Sequence, residues 1–130
     1  MTLFGERSNW SGDVVDDAAA LQREAASLGF NWDSVIDVLE KVREETGELE
    51  AALRDGDRDA TMHELGDMFL ALINIACMSG LNSHDVIRSA NERFRDRFTR
   101  MRRHIESQGR RFEECTLQEL DAAWKRIKDV

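Results

Sequence analysis

The stretch KVREETGELEAALRDGDRDATMHELGDMFLALINIACMSG, Lys41–Gly80, decides the fold of this chain. Apolar residues at helical spacing lead up to "RDGDRD", a cluster of Asp, Arg and Gly that is typical of a turn. Beyond the turn the sequence is apolar almost without a break from Met68 to Met78. We therefore predict two helices joined by a short loop. The carboxylates on the two helices include Glu44, Glu45, Glu48, Glu64 and Asp67.

The composition of the whole chain favours an all-α fold. It has 130 residues, no Pro and no Tyr, and long segments that mix Ala, Leu, Glu and Arg, which are strong helix formers. Short loops between the predicted helices indicate an antiparallel helical bundle. We predict one domain over residues 13–130, preceded by a flexible lead-in over residues 1–12. We predict five helices. The first is capped by Asp13 and ends near Leu28, the second is capped by Asp33 or Ser34 and ends near Arg54, and the third runs from about Arg58 to Ser79. The fourth is capped by Ser83 and stops at Gly109, and the fifth opens with a Thr116–Glu119 capping box and ends near Lys128.

The third predicted helix differs from an ordinary surface helix. Between Met68 and Met78 it is apolar nearly all round, so it needs cover on every side. A short bundle of 130 residues offers limited cover. We therefore expect a second subunit to complete the core, in a homodimer or a dimer of dimers.

Charge and cysteine content limit the partners and the compartment. The net charge of −8 disfavours binding to nucleic acid or to an anionic membrane. The segment Arg88–Arg111 is the exception, with nine Arg against three acidic residues. Cys77 and Cys115 make no disulfide framework, and no segment has the ~20 apolar residues that cross a bilayer. We expect a cytoplasmic protein without nucleic-acid or membrane partners.

The carboxylates are predicted to converge on a metal ion. On a helical wheel, Glu45, Glu48 and then Glu44 follow one flank of the apolar stripe of the second helix. Glu64 and Asp67, at i and i+3, begin a line that continues through the apolar part of the third helix. Carboxylates placed so closely repel one another unless a cation lies between them. An all-oxygen donor set suits Mg²⁺, with Mn²⁺ as a substitute. Solvated surface charge is the alternative interpretation.

Two other kinds of metal site fail on spacing. Asp55, Asp57 and Asp59 resemble the start of a calcium-binding loop, but Ala60 stands where the loop needs Gly, and Gly66 where it needs Glu. A di-iron bundle requires Glu-x-x-His pairs on two helices, and the chain has none. His63, next to Glu64, is compatible with a supporting role at the metal site or with simple exposure.

A basic flank on the fourth predicted helix is suited to phosphate. Arg93, Arg97 and Arg100 form an i, i+4, i+7 line, and Arg97 borders the apolar stripe. Guanidinium groups grip phosphate oxygens bidentately, whereas exposed i, i+4 charge pairs are the plain alternative. On the last helix, Trp124 and Lys128 are i, i+4, so Trp124 is either a core anchor or part of a tail that closes over the site.

The arrangement Glu44-Glu45-x-x-Glu48 followed by Glu64-x-x-Asp67 resembles the EExxE…ExxD signature of the MazG-like all-α nucleoside triphosphate pyrophosphohydrolases. The similarity extends through "GFNWDSVIDVLEKVREE", "ELGDMFLALINIA", "SANERFRDRF" and "LDAAWKRIK", over roughly Leu21–Lys128. The resemblance implies Mg²⁺-dependent hydrolysis of nucleoside triphosphates to monophosphate and pyrophosphate. It also implies two sets of site residues: metal ligands Glu44, Glu45, Glu48, Glu64 and Asp67, and substrate contacts Asn91, Arg93, Arg97, Trp124 and Lys128.

The resemblance has departures and leaves alternatives open. Arg93 stands where Lys is common, and His63 stands where many members have a further acid. We expect Glu45 or Glu48 to act as the general base. One alternative is a dUTPase-like specialist on the same scaffold. Another is a non-catalytic oligomeric helical module whose acids are surface charge.

Overall fold

A computed structural model describes residues 10–128 of the chain, and the side chains of residues 10–127. Within that range the chain forms five α-helices, one short 3₁₀ helix at Phe112–Glu114 and no strand, which confirms the all-α prediction. Most of the predicted lead-in lies outside the described residues. The helices are α1 (Val14–Ser27), α2 (Val35–Asp55), α3 (Arg58–Met78), α4 (Ser83–Ser107) and α5 (Leu117–Lys128).

The chain divides into two compact units, the first ending at Val86 and the second beginning at Ile87. In the first unit α2 and α3 are joined by two residues and pack together as an antiparallel hairpin, and α1 packs against α3. Gly56 permits this reversal because it ends α2 with a φ of 66°, in the left-handed region that favours glycine. Asp57 then caps α3 by accepting the N–H of Ala60 at 3.0 Å.

The first two helix starts follow the predicted caps. The Asp13 carboxylate accepts the N–H groups of Val15 and Asp16 at 3.0 Å each, so it satisfies two donors that have no partner inside α1. Of the two residues predicted to cap α2, Ser34 performs the role, with its hydroxyl accepting the N–H of Ile36 at 3.1 Å.

The start of α4 corrects one prediction, and the start of α5 confirms another. Ser83 is the first helical residue of α4 and not its cap, because the side chain of Asn82 accepts the N–H of Asp85 at 3.1 Å. Two adjacent residues competed for the role, and the amide of Asn82 takes it. At α5, the Glu119 N–H donates to the Thr116 hydroxyl and the Thr116 N–H donates to the Glu119 carboxylate, both at 3.1 Å. This is the predicted capping box.

Aromatic side chains organise the second unit. Phe94 on α4 lies 5.4 Å from Trp124 on α5 between ring centroids, and Phe98 lies 5.3 Å from Phe112. These separations are those of favourable tilted aromatic pairs. The predicted apolar face of α4 is deeply buried only toward its C-terminal end, where Met101 is 4% and Ile105 is 3% exposed.

The apolar run of α3 is not enclosed by the part of the chain that the structure describes. Asn74 and Ala76 are buried, but Phe69 is 64% exposed and Leu72 is 50% exposed. Cover of this surface by a second subunit stays a prediction. Over the described residues, no single helix is long and apolar enough to cross a bilayer, and α3 with α4 meets the length and composition criteria only when the two are taken together.

Val38 tests the packing of the hairpin, because it is 1% exposed within α2. We expect Val38→Ala to lower the free energy of unfolding by about 2 kcal/mol, since it removes two buried methyl groups and leaves a small cavity. Val14→Ala is the matched control, because Val14 is 77% exposed. Urea unfolding followed by circular dichroism measures both variants. Equal stability of the two variants would contradict the assigned core.

Candidate metal centre

The centre is built on the α2–α3 hairpin. Glu45, on the flank of α2 that meets α3, is only 5% exposed, and Glu64 on α3 is half-buried. One carboxylate oxygen from each of Glu45, Glu48 and Glu64 lies within 4.8 Å of the other two. The two-residue loop between the helices fixes this register, because it leaves little freedom for α3 to slide along α2. Three carboxylates from two helices are therefore held in one place.

Glu45 and Glu64 lie close enough for each carboxyl group to change the pKa of the other. The hydrogen bond between them, reinforced by burial and by Glu48, raises the pKa of Glu64 to about 7. The same bond lowers the pKa of Glu45, and Lys41 lowers it further against the opposing effect of burial. Near neutral pH, Glu64 thus carries the proton for part of the population and Glu45 is the anion.

Lys41 is the counter-ion of the buried carboxylate. Its ammonium nitrogen lies 3.4 Å from a carboxylate oxygen of Glu45, one helical turn away on α2. The hydrogen bond to Glu45 is the main cause of a raised pKa at Lys41, so the lysine stays protonated. One ammonium group, itself 46% exposed, faces a cluster of three carboxylates. The cluster therefore keeps an excess of negative charge once Glu64 is ionised.

Two oxygen atoms in the cluster lack hydrogen-bond partners. Within residues 10–127, one carboxylate oxygen of Glu45 and one of Glu64 are buried without a hydrogen-bond partner. A buried polar atom left unpaired destabilises the folded state, so such atoms are rare unless a ligand or ion meets them. Several carboxylate oxygens from two helices are the donor set of a hard divalent cation. The residues present thus fit a metal ion, as the sequence predicts.

A second group adjoins the first and shares Glu64 with it. His63, Glu64 and Asp67 place one ligand atom each within 4.8 Å of one another, and a ring nitrogen of His63 lies 3.3 Å from a carboxylate oxygen of Asp67. The line from Glu64 through Asp67 leads to Asn74, which is only 8% exposed. The acidic line on α3 therefore does run from the surface toward the interior, as its spacing predicts.

The structure brings together most of the predicted metal ligands. Glu45, Glu48 and Glu64 form one group, and Asp67 belongs to the adjoining one. Glu44 is exposed and lies outside both groups. Binding of an ion by these five residues stays a prediction, and the geometry supports it most strongly for the first three.

The predicted substrate contacts belong to the second unit. The guanidinium carbon of Arg97 lies 5.1 Å from the centre of the Trp124 ring, in a cation–π contact that restrains the arginine. Asn91 and Arg93 are exposed on α4. The side chain of Lys128 lies outside the described residues. The roles of these residues toward a substrate stay predictions.

Two features of the centre were missed in the sequence. Lys41 was not singled out, although its i, i+4 spacing to Glu45 is a signal that could have found the ion pair. The unequal protonation of Glu45 and Glu64 had no signal in the sequence. It depends on the distance between side chains on different helices, which only the packed hairpin sets.

Fold and centre together define an all-α protein with a cluster of carboxylates on two adjacent helices that could hold a metal ion. A family model, the MazG nucleotide pyrophosphohydrolase domain, matches residues 33–101, which is more than half of the chain. The chain belongs to this family. The matched range contains all five predicted metal ligands and also Asn91, Arg93 and Arg97.

Two curated relatives carry names that agree with the family. The chain is 31% identical over 111 residues to the nucleoside triphosphate pyrophosphohydrolase/pyrophosphatase MazG of Thermotoga maritima, covering 85% of this chain and 42% of the relative. It is 28% identical over 113 residues to the nucleoside triphosphate pyrophosphohydrolase of Escherichia coli K12, covering 85% of this chain and 43% of the relative. The chain thus spans less than half the length of these relatives.

The raised pKa of Glu64 predicts a pH-dependent stability in the absence of divalent ions. The folded state keeps the Glu64 proton up to about pH 7, whereas the unfolded chain releases it near the ordinary value of 4.5. The folded state therefore binds more protons between these values, and the free energy of unfolding falls as pH rises through that window. We expect Glu64→Gln, which stays neutral, to be more stable relative to wild type at about pH 8 than at about pH 5.

Urea unfolding in a chelator at both pH values measures this difference. Glu40→Gln is the control, because Glu40 is an exposed glutamate on α2. The assignment is wrong if Glu64→Gln and Glu40→Gln change with pH in the same way.

Proposed function

We propose that this domain hydrolyses nucleoside triphosphates to nucleoside monophosphate and pyrophosphate, with Mg²⁺ held by the carboxylate centre and Mn²⁺ as a substitute. The observation that carries the proposal is the cluster of Glu45, Glu48 and Glu64, in which one oxygen of Glu45 and one of Glu64 are buried without a hydrogen-bond partner among the described residues. Family membership and the names of the two relatives support the same reaction. The reaction breaks the anhydride bond between the α- and β-phosphates and adds water across it.

In this proposal Glu45, Glu48, Glu64, Glu44 and Asp67 hold the ion. When bound, Mg²⁺ supplies charge neutralisation at the phosphates and a fixed position for water. Glu64 gives up its proton to become a ligand, so we expect metal binding to strengthen as pH rises toward the pKa of about 7.

Glu45 or Glu48 is the proposed general base. The base has to be ionised to accept a proton from the attacking water, and the lowered pKa of Glu45 keeps that side chain ionised at neutral pH. Glu48 is exposed and lies in the same carboxylate group, so it has freer access to solvent. Both residues therefore remain candidates.

The proposed grip on substrate comes from α4 and α5. Arg97, restrained by its contact with Trp124, suits bidentate binding of a phosphate, and Arg93 adds a second guanidinium. Asn91 and Lys128 complete the proposed set of contacts. Arg93 in place of the usual Lys keeps the positive charge. Its guanidinium group can donate two parallel hydrogen bonds to a phosphate, which the ammonium group of Lys does not do in the same geometry.

We also propose a homo-oligomer, a homodimer or a dimer of dimers, located in the cytoplasm. The support is the apolar surface of α3, where Phe69 and Leu72 are at least half exposed within the single chain. Burying such side chains against a copy of the chain contributes about 25 cal/mol for each Å² removed from water. Light scattering coupled to gel filtration measures the assembly, and a monomer at micromolar concentration would contradict it.

Conservative changes in the centre test the enzyme activity. We expect Glu45→Gln and Glu64→Gln each to lower the rate of pyrophosphate release by at least about 100-fold, because each change removes a proposed ligand of the ion. Each tenfold loss of rate corresponds to ~1.4 kcal/mol of lost transition-state stabilisation. Glu50→Gln is the control, because Glu50 is exposed on the same helix and pairs with Arg54. Full activity of either centre variant would refute the metal assignment.

Two measurements separate the remaining alternatives. A panel of ribo- and deoxyribonucleoside triphosphates distinguishes a general hydrolase from a dUTPase-like specialist, which would act on dUTP alone. Thermal unfolding with Mg²⁺ and a non-hydrolysable nucleotide distinguishes both from a non-catalytic module. Ligand at ~100 times its Kd adds ~2.7 kcal/mol of stability, whereas a non-binding module shows no change.

A further inference from the structure

A second cluster of ligating side chains lies in the first unit, apart from the carboxylate centre. Asp13 and Asp16 stand at the start of α1, and His84 stands in the first turn of α4. One ring nitrogen of His84 lies 3.2 Å from a carboxylate oxygen of Asp13 and 3.0 Å from one of Asp16. The three ligand atoms all lie within 4.8 Å of one another. The family match begins at residue 33, so it does not include the two aspartates.

An independent observation beside this cluster is the hydroxyl group of Ser83. Ser83 is only 8% exposed, and its hydroxyl oxygen is buried with no hydrogen-bond partner in the part of the chain that the structure describes. Ser83, Asp16 and His84 line one cavity of about 70 Å³. A cavity of that size holds an ion together with water molecules, since a single water needs only ~10–15 Å³. Ser83 thus borders this cavity and carries a buried hydroxyl without a partner among the described residues.

We propose that Asp13, Asp16 and His84 bind a divalent transition-metal ion, with Zn²⁺ the best match. An imidazole nitrogen with two carboxylate oxygens is a donor set that Zn²⁺ accepts in tetrahedral geometry. Neighbouring ligands of such an ion stand about 3.3 Å apart when metal–ligand bonds are about 2.0–2.1 Å. The observed separations of 3.2 and 3.0 Å at His84 are close to that value.

The charges and the fourth ligand are consistent with this ion. The two aspartates carry the negative charge that a divalent cation needs, although Arg23 lines the same cavity and opposes it. A water molecule could occupy the fourth ligand position of the ion and form a hydrogen bond with the Ser83 hydroxyl, which has no partner among the described residues. The ion would tie the first turn of α1 to the first turn of α4, two segments that are 71 residues apart at Asp13 and His84.

A hydrogen bond from the same His84 ring nitrogen to the two aspartates is the competing state, because hydrogen bonds have similar lengths. The two states differ in their response to metal. If the site binds metal, added Zn²⁺ shifts the NMR signal of a His84 ring nitrogen, and the binding of Zn²⁺ requires the imidazole of His84. If the contacts are hydrogen bonds alone, Zn²⁺ leaves that signal unchanged.

The test uses the full chain, freed of metal with a chelator and then kept in excess Mg²⁺ to occupy the all-oxygen centre. Zn²⁺ is added during calorimetry and during ¹⁵N NMR of the histidine rings, and Co²⁺ replaces it for visible absorption. We expect Zn²⁺ to shift a His84 ring nitrogen, and His84→Gln and Asp16→Asn each to weaken one Zn²⁺ binding event by at least tenfold. His104→Gln is the control, and His63→Gln tests the other histidine-containing group separately.

His84→Gln keeps a hydrogen-bond donor for the aspartates, so its melting temperature in chelator checks that the fold is intact. Should that variant fail to fold, the NMR signal of wild-type His84 still decides the question. An ion-pair-only outcome, with unchanged His84 nitrogen shifts and Zn²⁺ binding equal in wild type and Asp16→Asn, overturns the proposal.

Discussion

The close approach of Glu45 and Glu64 across the α2–α3 hairpin is the constraint on which the metal centre depends. Two carboxylates cannot both be ionised in a partly buried site without a compensating charge, so one of them holds a proton or an ion lies between them. Lys41 offsets part of the charge at Glu45. The negative charge that Lys41 does not offset contributes to the raised pKa of Glu64. The hairpin thus holds carboxylates close together at an electrostatic cost, which a bound divalent cation would lower.

The fold maintains this approach through local interactions that are individually ordinary. Gly56 and Asp57 turn the chain in two residues, so α3 leaves the loop in a fixed register against α2. Val38 and Ala52, which precede and follow Glu45 on α2, are buried, and so are Asn74 and Ala76 on α3. In the second unit, Phe94 and Phe98 on α4 pair with each other, and they also pair with Trp124 and Phe112 respectively, so aromatic contacts join α4 to the segments that follow it.

Helix positions could be predicted from the sequence because they depend on neighbouring residues. The caps at Asp13 and Ser34 and the box at Thr116 satisfy backbone donors within three residues, and the sequence shows all of them. The prediction was wrong at Ser83 because Asn82 is an equally suitable neighbour. The burial of Glu45 also follows from helical periodicity. The raised pKa of Glu64 and the cluster around His84 could not be predicted, because they depend on contacts between segments that are distant in the sequence or on different helices.

Release of protons on metal binding tests the central claim most directly. Calorimetric titration of Mg²⁺ into the metal-free protein, in buffers of different ionisation enthalpy, counts the protons released. Because Glu64 is mostly protonated below its pKa of about 7, we predict release of nearly one proton at about pH 6 and almost none at about pH 8. Heats that do not depend on the buffer at either pH would contradict the claim that a divalent ion replaces the proton of Glu64.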